Sequence, residues 1–354
     1  MKILINLDHP AHVHLFKNMI RNLEKDGYKV KITARDKEVV LDLLNAYGFE
    51  YENTGEHQRG LFNKVYGMIK IDHKLYRIAR KFKPDILVSA GSPYAAHVSR
   101  LLNKPHIAFD DTEHSREQYW LYSPFTEVIC TPSCFKKDLG KKHVRYNGYH
   151  ELAYLHPNYF KPDLKVLSDL NLTRRDKFII IRLISWSASH DVGEHGLGKN
   201  IKRLVKRIED YGSVFITSET GLNNDFEGYG ITTSPEQIHS LLYFAEMYIG
   251  EGATMATESG ILGTPSIYIS SLAKTLGNFN ELQNKYGLVY SFTDPRRALE
   301  KAIELLGDRN LRLEWQKKRE ILLKERIDVT KWMTDFIESY PESFYEYLKN
   351  RVGG

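Results

Sequence analysis

Residues 234–270 read SPEQIHSLLYFAEMYIGEGATMATESGILGTPSIYIS. The run predicts a helix, a short buried strand at Tyr248-Ile249, a glycine turn, a second helix, a tight turn and a further strand. Gly250-Glu251-Gly252-Ala253-Thr254 keeps the turn small, so the backbone of a ligand can approach closely. Helix formers follow from Met255 to Leu262, and Gly263-Thr264-Pro265 ends that helix before the β-rich run Ser266 to Ile269. A helix that begins on a glycine turn directly after a buried strand points free N–H groups and its positive dipole end into the crevice beyond the sheet. Anionic phosphates bind well in such a place. Glu258 falls in the first turns of the helix, where a carboxylate either accepts ribose hydroxyls or only complements the dipole.

Strands and helices alternate on both sides of this core. The chain opens on the apolar run Lys2 to Leu7, suited to a parallel sheet covered on both faces, and passes into Asp8-His9-Pro10-Ala11-His12-Val13-His14. Leu15, Phe16, Met19, Ile20 and Leu23 then recur at helical spacing until Asp26-Gly27. Further strands are expected at Lys29 to Ala34, Ile86 to Ala90, His106 to Phe109 and Val128 to Thr131, with helices between them. This order predicts a Rossmann-like domain over residues 1–160. Residues 146–164, rich in Tyr, His, Pro and Gly without a clean period, read as a linker between domains. Phe178-Ile179-Ile180-Ile181 starts a second series, giving a Rossmann-like domain over residues 161–328. Residues 329–354, with Trp332, Phe336, Tyr340, Phe344, Tyr345 and Tyr347, are expected to form a helical segment packing back across the junction.

The 354 residues are enough for two medium domains, each with its own core. No apolar run approaches the roughly 20 residues of a membrane span, and Met1 leads straight into a strand, so a cytoplasmic protein without a signal peptide is expected. Two cysteines, Cys130 and Cys134, provide neither a disulfide framework nor a thiolate zinc cluster, and read as buried apolar residues. A formal charge of +5 is too mild to make nucleic acid the main partner. Lys136-Lys137, Lys141-Lys142 and Lys317-Lys318-Arg319, with 22 Tyr and 16 Phe in the chain, suit either solvated helix faces or a peripheral contact with an anionic membrane.

Gly252, Ala253, Thr254, Glu258 and Leu262-Gly263-Thr264-Pro265 together resemble the nucleotide-sugar site of GT-B-type proteins. The resemblance is to the N-acetylglucosaminyltransferase that makes lipid II and to the UDP-N-acetylglucosamine 2-epimerases. Pro84-Asp85-Ile86-Leu87-Val88, Gly91 and the strand leading to Asp110 are similar to the first-domain pattern of the same proteins. The whole chain looks most like a prokaryotic family of uncharacterised GT-B-like proteins grouped with them. The resemblance implies an α/β GT-B fold, two Rossmann-like domains facing across a cleft, with the donor diphosphate and ribose on the second.

Three clusters carry the chemistry. His12, in the loop after the first strand, is the first choice for the base that deprotonates an acceptor hydroxyl. A metal reading of His9, His12 and His14 matches no strong zinc spacing, and an N-cap or packing role is open to at least one of them. Asp110, Asp111, Glu113 and His114 gather carboxylates that can divide acid and base roles, or that cap the next helix. They do not reproduce the His-x-Glu-x-Gly-x-Arg wording of the epimerases. Arg182, with Ser187 and His190 in the run Ser185 to Asp191, is suited to a diphosphate, the structural alternative being a salt bridge. Base recognition is expected from the backbone near Thr233 to Ile238. No cofactor and no metal are expected, because a helix dipole and an Arg can stabilise a leaving diphosphate. The expected function is nucleotide-sugar-dependent glycosyl transfer to a saccharide or lipid-linked acceptor in cell-surface polymer synthesis. The alternatives are a UDP-sugar 2-epimerase and an inactive nucleotide-sugar-binding protein.

Overall fold

The computed structural model describes residues 1–56, 61–113, 115–183, 201–218, 221–222, 224–231, 233–270 and 276–352. These residues gather into two compact units, Met1–Tyr154 with Ile327–Gly354, and Leu155–Arg326. The first opens with β1 (Lys2–Leu7), α1 (Pro10–Lys25), β2 (Lys29–Asp36), α2 (Val40–Ala46), β3 (Tyr51–Glu56) and α3 (Leu61–Phe82). It continues through β4 (Ile86–Ser89), α4 (Pro93–Leu102), β5 (His106–Phe109), α5 (Arg116–Tyr122), β6 (Val128–Pro132) and β7 (His143–Tyr146). After α6 (Leu152–Leu155), the second unit comprises α7 (Lys165–Asp169), β8 (Phe178–Leu183), α8 (Ile201–Ile208), β9 (Ser213–Ser218), α9 (Ile238–Phe244), β10 (Met247–Gly250) and α10 (Ala253–Leu262). It ends with β11 (Ser266–Ile269), α11 (Gly277–Asn284), β12 (Val289–Phe292), α12 (Pro295–Leu306) and α13 (Leu311–Glu325); α14 (Val329–Glu338) and α15 (Glu342–Val352) rejoin the first unit.

Both sheets are wholly parallel. The first has the order β3-β2-β1-β4-β5-β6-β7 and the second β12-β11-β10-β8-β9. Ile3, Leu4 and Ile5 are fully buried, as are Ile179, Ile180 and Ile181, so continuous apolar runs sit where helices cover both faces. In each sheet the order reverses beside the first strand, between β1 and β4 and between β8 and β10. Connections leave such a point in opposite directions and open a crevice at the carboxyl ends of the strands.

Strand β7 is an element the sequence reading does not anticipate. It has only four residues, two of them His143 and Arg145, and its polarity hides the apolar pattern. His143 is nevertheless buried, because its Nε2 pairs with Thr131 Oγ1 on β6 at 2.8 Å. The first sheet is therefore completed by a strand that ends at Tyr146, where the linker was expected to begin. The terminal helices belong with this unit: α14 packs on α1, and its Thr330 hydroxyl donates to the Ala153 carbonyl.

Helix α10 starts at Ala253, two residues before the expected position, with Gly252 as its N-cap. Its C-terminus is closed by Gly263 at φ 77°, where Thr264 N–H bonds Ser259 O at 2.9 Å and Gly263 N–H bonds Gly260 O at 3.0 Å. Gly260 is what lets the helix lie close to β12, since a Cβ there would stand 2.6 Å from Val289 Cγ2. Gly260→Ala is expected to cost about 1–3 kcal/mol by forcing helix and strand apart. A lower urea midpoint with an unchanged m-value would register this.

Candidate functional site

The second unit places Arg182 at the end of β8 in register with Gly250 at the end of β10. Gly250 and Gly252 are small because the space beneath the turn is already filled. A Cβ on Gly250 would stand 2.6 Å from Tyr248 Oη and 2.8 Å from Arg182 O, and one on Gly252 would stand 3.1 Å from the same hydroxyl. Tyr248 Oη donates to Gly252 O at 3.2 Å, and Glu251 N–H donates to Arg182 O at 3.1 Å, tying the two strand ends together. Burial drives the Tyr248 phenol far above its ordinary range, with the Arg182 charge opposing, so the hydroxyl stays protonated as a donor. Beyond the turn, no side chain caps α10 at Gly252, and Thr254 is exposed in its first turn.

Glu258 lies in the second turn rather than at the mouth of the helix. It is buried, and its Oε1 accepts from His239 Nε2 of α9 at 2.9 Å. The pair locks α9 to α10. His239, which the sequence reading passes over, therefore shares the site, and Ser187 and His190 lie outside the described residues.

The first unit builds a different edge. At its switch point Asn6, on β1, donates through Nδ2 to Asp8 Oδ2 at 2.8 Å and to Ser92 Oγ at 2.9 Å, joining the loops after β1 and β4. Burial raises the Asp8 carboxyl above its ordinary value, although hydrogen bonds from Ser92 and Asn6 and the charges of Arg35 and Lys37 oppose the shift. Asp8 Oδ1 is buried and meets no hydrogen-bond partner among the described residues.

His9 is the N-cap of α1, its Nδ1 accepting from Ala11 N–H at 3.2 Å, with Pro10 following at the first helical position. His12 Nδ1 likewise accepts from Asp8 N–H at 3.4 Å. Burial, then the His9, His150 and Lys37 charges, hold His12 well below its ordinary value, so it is neutral at physiological pH. His14 is buried behind the loop, against Tyr47 and Tyr154, and takes no part in the edge.

After β5, Asp110 accepts from the Tyr122 hydroxyl and from Thr112 N–H, and burial raises its carboxyl. Asp111 faces the edge, with its Oδ2 3.4 Å from His150 Nδ1. Glu113 turns away. It is buried and accepts from Lys136 N–H, which anchors the loop after β6. Neither acid caps α5, whose N-cap is Ser115. His114 lies outside the described residues.

His150 is the residue the sequence reading misses. It follows β7 in the stretch taken as a linker, and only the turn Asn147-Gly148 after an apolar-polar alternation signals it. Its ring lies parallel to Tyr146, with centroids 6.3 Å apart, and Trp332 of α14 lies 4.9 Å from the same Tyr146 ring. His150 Nε2 is buried without a hydrogen-bond partner among the described residues. Among those residues no group of three or more His, Cys, Asp or Glu side chains could hold a metal ion.

Two parallel-sheet α/β units with these switch points match the GT-B fold. The fold is similar to that of UDP-GlcNAc 2-epimerase from Neisseria meningitidis bound to UDP-GlcNAc, with a TM-score of 0.70 at 16% identity over 95% of this chain and 99% of that one. It is also similar to the Streptomyces glycosyltransferase SsfS6 (TM-score 0.60, 12% identity, 96% and 100% covered). MurG of Acinetobacter baumannii gives 0.57 at 15% identity over 96% and 99%. The chain belongs to the family described as Protein of unknown function (DUF354), which matches residues 1–340. An uncharacterized protein of Methanocaldococcus jannaschii is 27% identical over 277 residues, 75% of this chain and 81% of the relative.

Removing His239 is expected to be expensive, because the buried Glu258 carboxylate loses the hydrogen bond from its ring. His239→Ala should lose about 3–5 kcal/mol in denaturant unfolding. Glu258→Gln, whose amide oxygen still accepts from His239, should lose clearly less.

Proposed function

We propose that the protein is a nucleotide-sugar-dependent glycosyltransferase of GT-B type. It would transfer a hexosyl or N-acetylhexosaminyl group to a saccharide or lipid-linked acceptor of the cell surface, without metal or cofactor. The observation that carries this reading is the switch point of the second unit. There Arg182, the uncapped start of α10 and the Tyr248-braced glycine turn converge, with Glu258 one turn deeper. In this reading the diphosphate lies on Gly252, Ala253 and Thr254 with Arg182, together with Ser187 and His190. Glu258 takes the ribose hydroxyls, and the edge of the first unit handles protons. Free N–H groups and a guanidinium favour the diphosphate most as it departs with its charge.

The epimerase reading has its own support. The Neisseria epimerase gives a higher TM-score, 0.70, than SsfS6 at 0.60, and half-buried Asp110 beside Asp111 offers carboxyls for moving a proton at a sugar carbon. An epimerase turns over donor alone. A transferase needs an acceptor.

Thermal-shift screening against nucleotides and nucleotide sugars should give a clear stabilisation with one donor, by about 2.7 kcal/mol at a hundredfold excess over Kd. Glu258→Gln should weaken that shift. Stabilisation by no member of the panel would remove the donor site, and the enzyme reading with it.

Work at the inner face of the membrane is part of the proposal. Among the described residues no helix is long and apolar enough to cross a membrane. The adjoining helices α3, α4 and α5 nonetheless expose Tyr66, Ile69, Leu101 and Trp120. Lys70, Lys74, Arg77, Arg100 and Arg116 are exposed on the same three helices. Exposed apolar side chains and cations on neighbouring helices suit an anionic bilayer surface. Cosedimentation with phosphatidylglycerol vesicles, and not with phosphatidylcholine ones, is expected. Trp120→Glu should weaken it roughly tenfold or more, as expected for losing ~1.4 kcal/mol.

A further inference from the structure

The three histidines of the first unit's edge differ in the one respect that decides base chemistry, namely which ring nitrogen keeps a lone pair. A backbone N–H can only donate. His9 Nδ1 accepts from Ala11 N–H and His12 Nδ1 from Asp8 N–H, so each neutral ring carries its proton on Nε2. Both can present a donor to a ligand. Neither can take a proton through Nε2.

His150 is arranged the other way. Its Nδ1 faces the Asp111 carboxylate at 3.4 Å, which favours the tautomer with the proton on Nδ1 and leaves the lone pair on Nε2. That nitrogen is buried with no hydrogen-bond partner among the described residues, and the whole residue is only 9% exposed. A buried nitrogen lone pair left unpaired costs free energy, and a proton donor from a ligand removes that cost. Asp8 Oδ1 and Tyr146 Oη are likewise buried and unpartnered among the described residues, so the edge holds further unfilled polar positions that suit a hydroxyl-rich ligand.

We propose that His150 is the general base of the acceptor step and Asp111 the residue that positions it. The assignment rests on the nucleotide-sugar reading above and moves the base role from His12. In the step, His150 Nε2 takes the proton of an acceptor hydroxyl as the oxygen bonds to the sugar's anomeric carbon. The bond from that carbon to the diphosphate oxygen breaks, and the nucleoside diphosphate leaves with the bonding pair. The imidazolium formed is stabilised by Asp111 and returns its proton to solvent. His12, neutral with Nε2–H, is suited to donate a hydrogen bond to the acceptor.

The test measures release of UDP from UDP-N-acetylglucosamine, with water and with a panel of saccharide acceptors, alongside thermal shift by the same donor. His150→Gln is expected to keep the donor-induced shift and to lose kcat by about 10²–10⁴-fold, with little change in donor KM. Asp111→Asn should lose kcat in the same sense, less steeply, and added imidazole should restore part of the activity of His150→Ala. His150→Gln with kcat within about threefold of wild type, when wild type turns over, would overturn the assignment while leaving the transferase reading standing. So would His12→Gln losing what His150→Gln keeps. Binding of the donor by wild type with no turnover under any acceptor would overturn the base role and the enzyme reading together.

Discussion

In a parallel sheet covered by helices on both faces, the ends of the strands are the one place where polar chemistry can reach solvent. The groups at the two sheet edges follow from that constraint. Asn6 and Asp8 leave β1, Ser92 follows β4, Asp110 and Asp111 leave β5, and His150 follows β7, all at one edge because the four strands run the same way. Arg182 and Gly250 meet in the second sheet for the same reason. The core residues behind them, fully buried in Ile3 to Ile5 and Ile179 to Ile181, fix these positions.

Most of this was legible in the sequence where one physical rule acted alone. Lys2 to Leu7 and Phe178 to Ile181 are apolar without interruption, and only a doubly covered strand tolerates that. Gly263-Thr264-Pro265 ends a helix because Gly alone adopts its backbone angle cheaply. The reading thinned where two rules competed. His143 reads as a surface residue by type, yet its partner Thr131 makes it a core one, and with β7 hidden the following His150 looked like linker. Pairing of that kind lies between elements distant in the chain, which periodicity does not report.

Carboxylates illustrate the same limit. Glu113 and Asp111 sit two residues apart in an acidic run, and composition treats them alike. The chain turns between them, so one accepts from Lys136 N–H and holds a loop, while the other faces His150. The sequence placed Glu258 near the start of a helix, where the dipole alone would account for it. Its position in the second turn, buried on His239, makes it a strut between α9 and α10 before any ligand arrives. A ribose that bonded Glu258 would add to that strut and couple ligand binding to the packing of the two helices.

The two units also differ in the charge they can accommodate. At the edge of the first, burial raises the Asp8 and Asp110 carboxyls and lowers His12, and each of these shifts disfavours the charged form. Such an edge repels a phosphate less by sign than by the desolvation it would demand. It suits hydroxyls, which exchange hydrogen bonds without bringing charge. The second unit presents Arg182 and the uncapped start of α10, positive partners that gain from an anion. Within the first unit, the proposed base role of His150 would draw on Asp111, whose Oδ2 lies 3.4 Å from Nδ1 and would stabilise a charged ring.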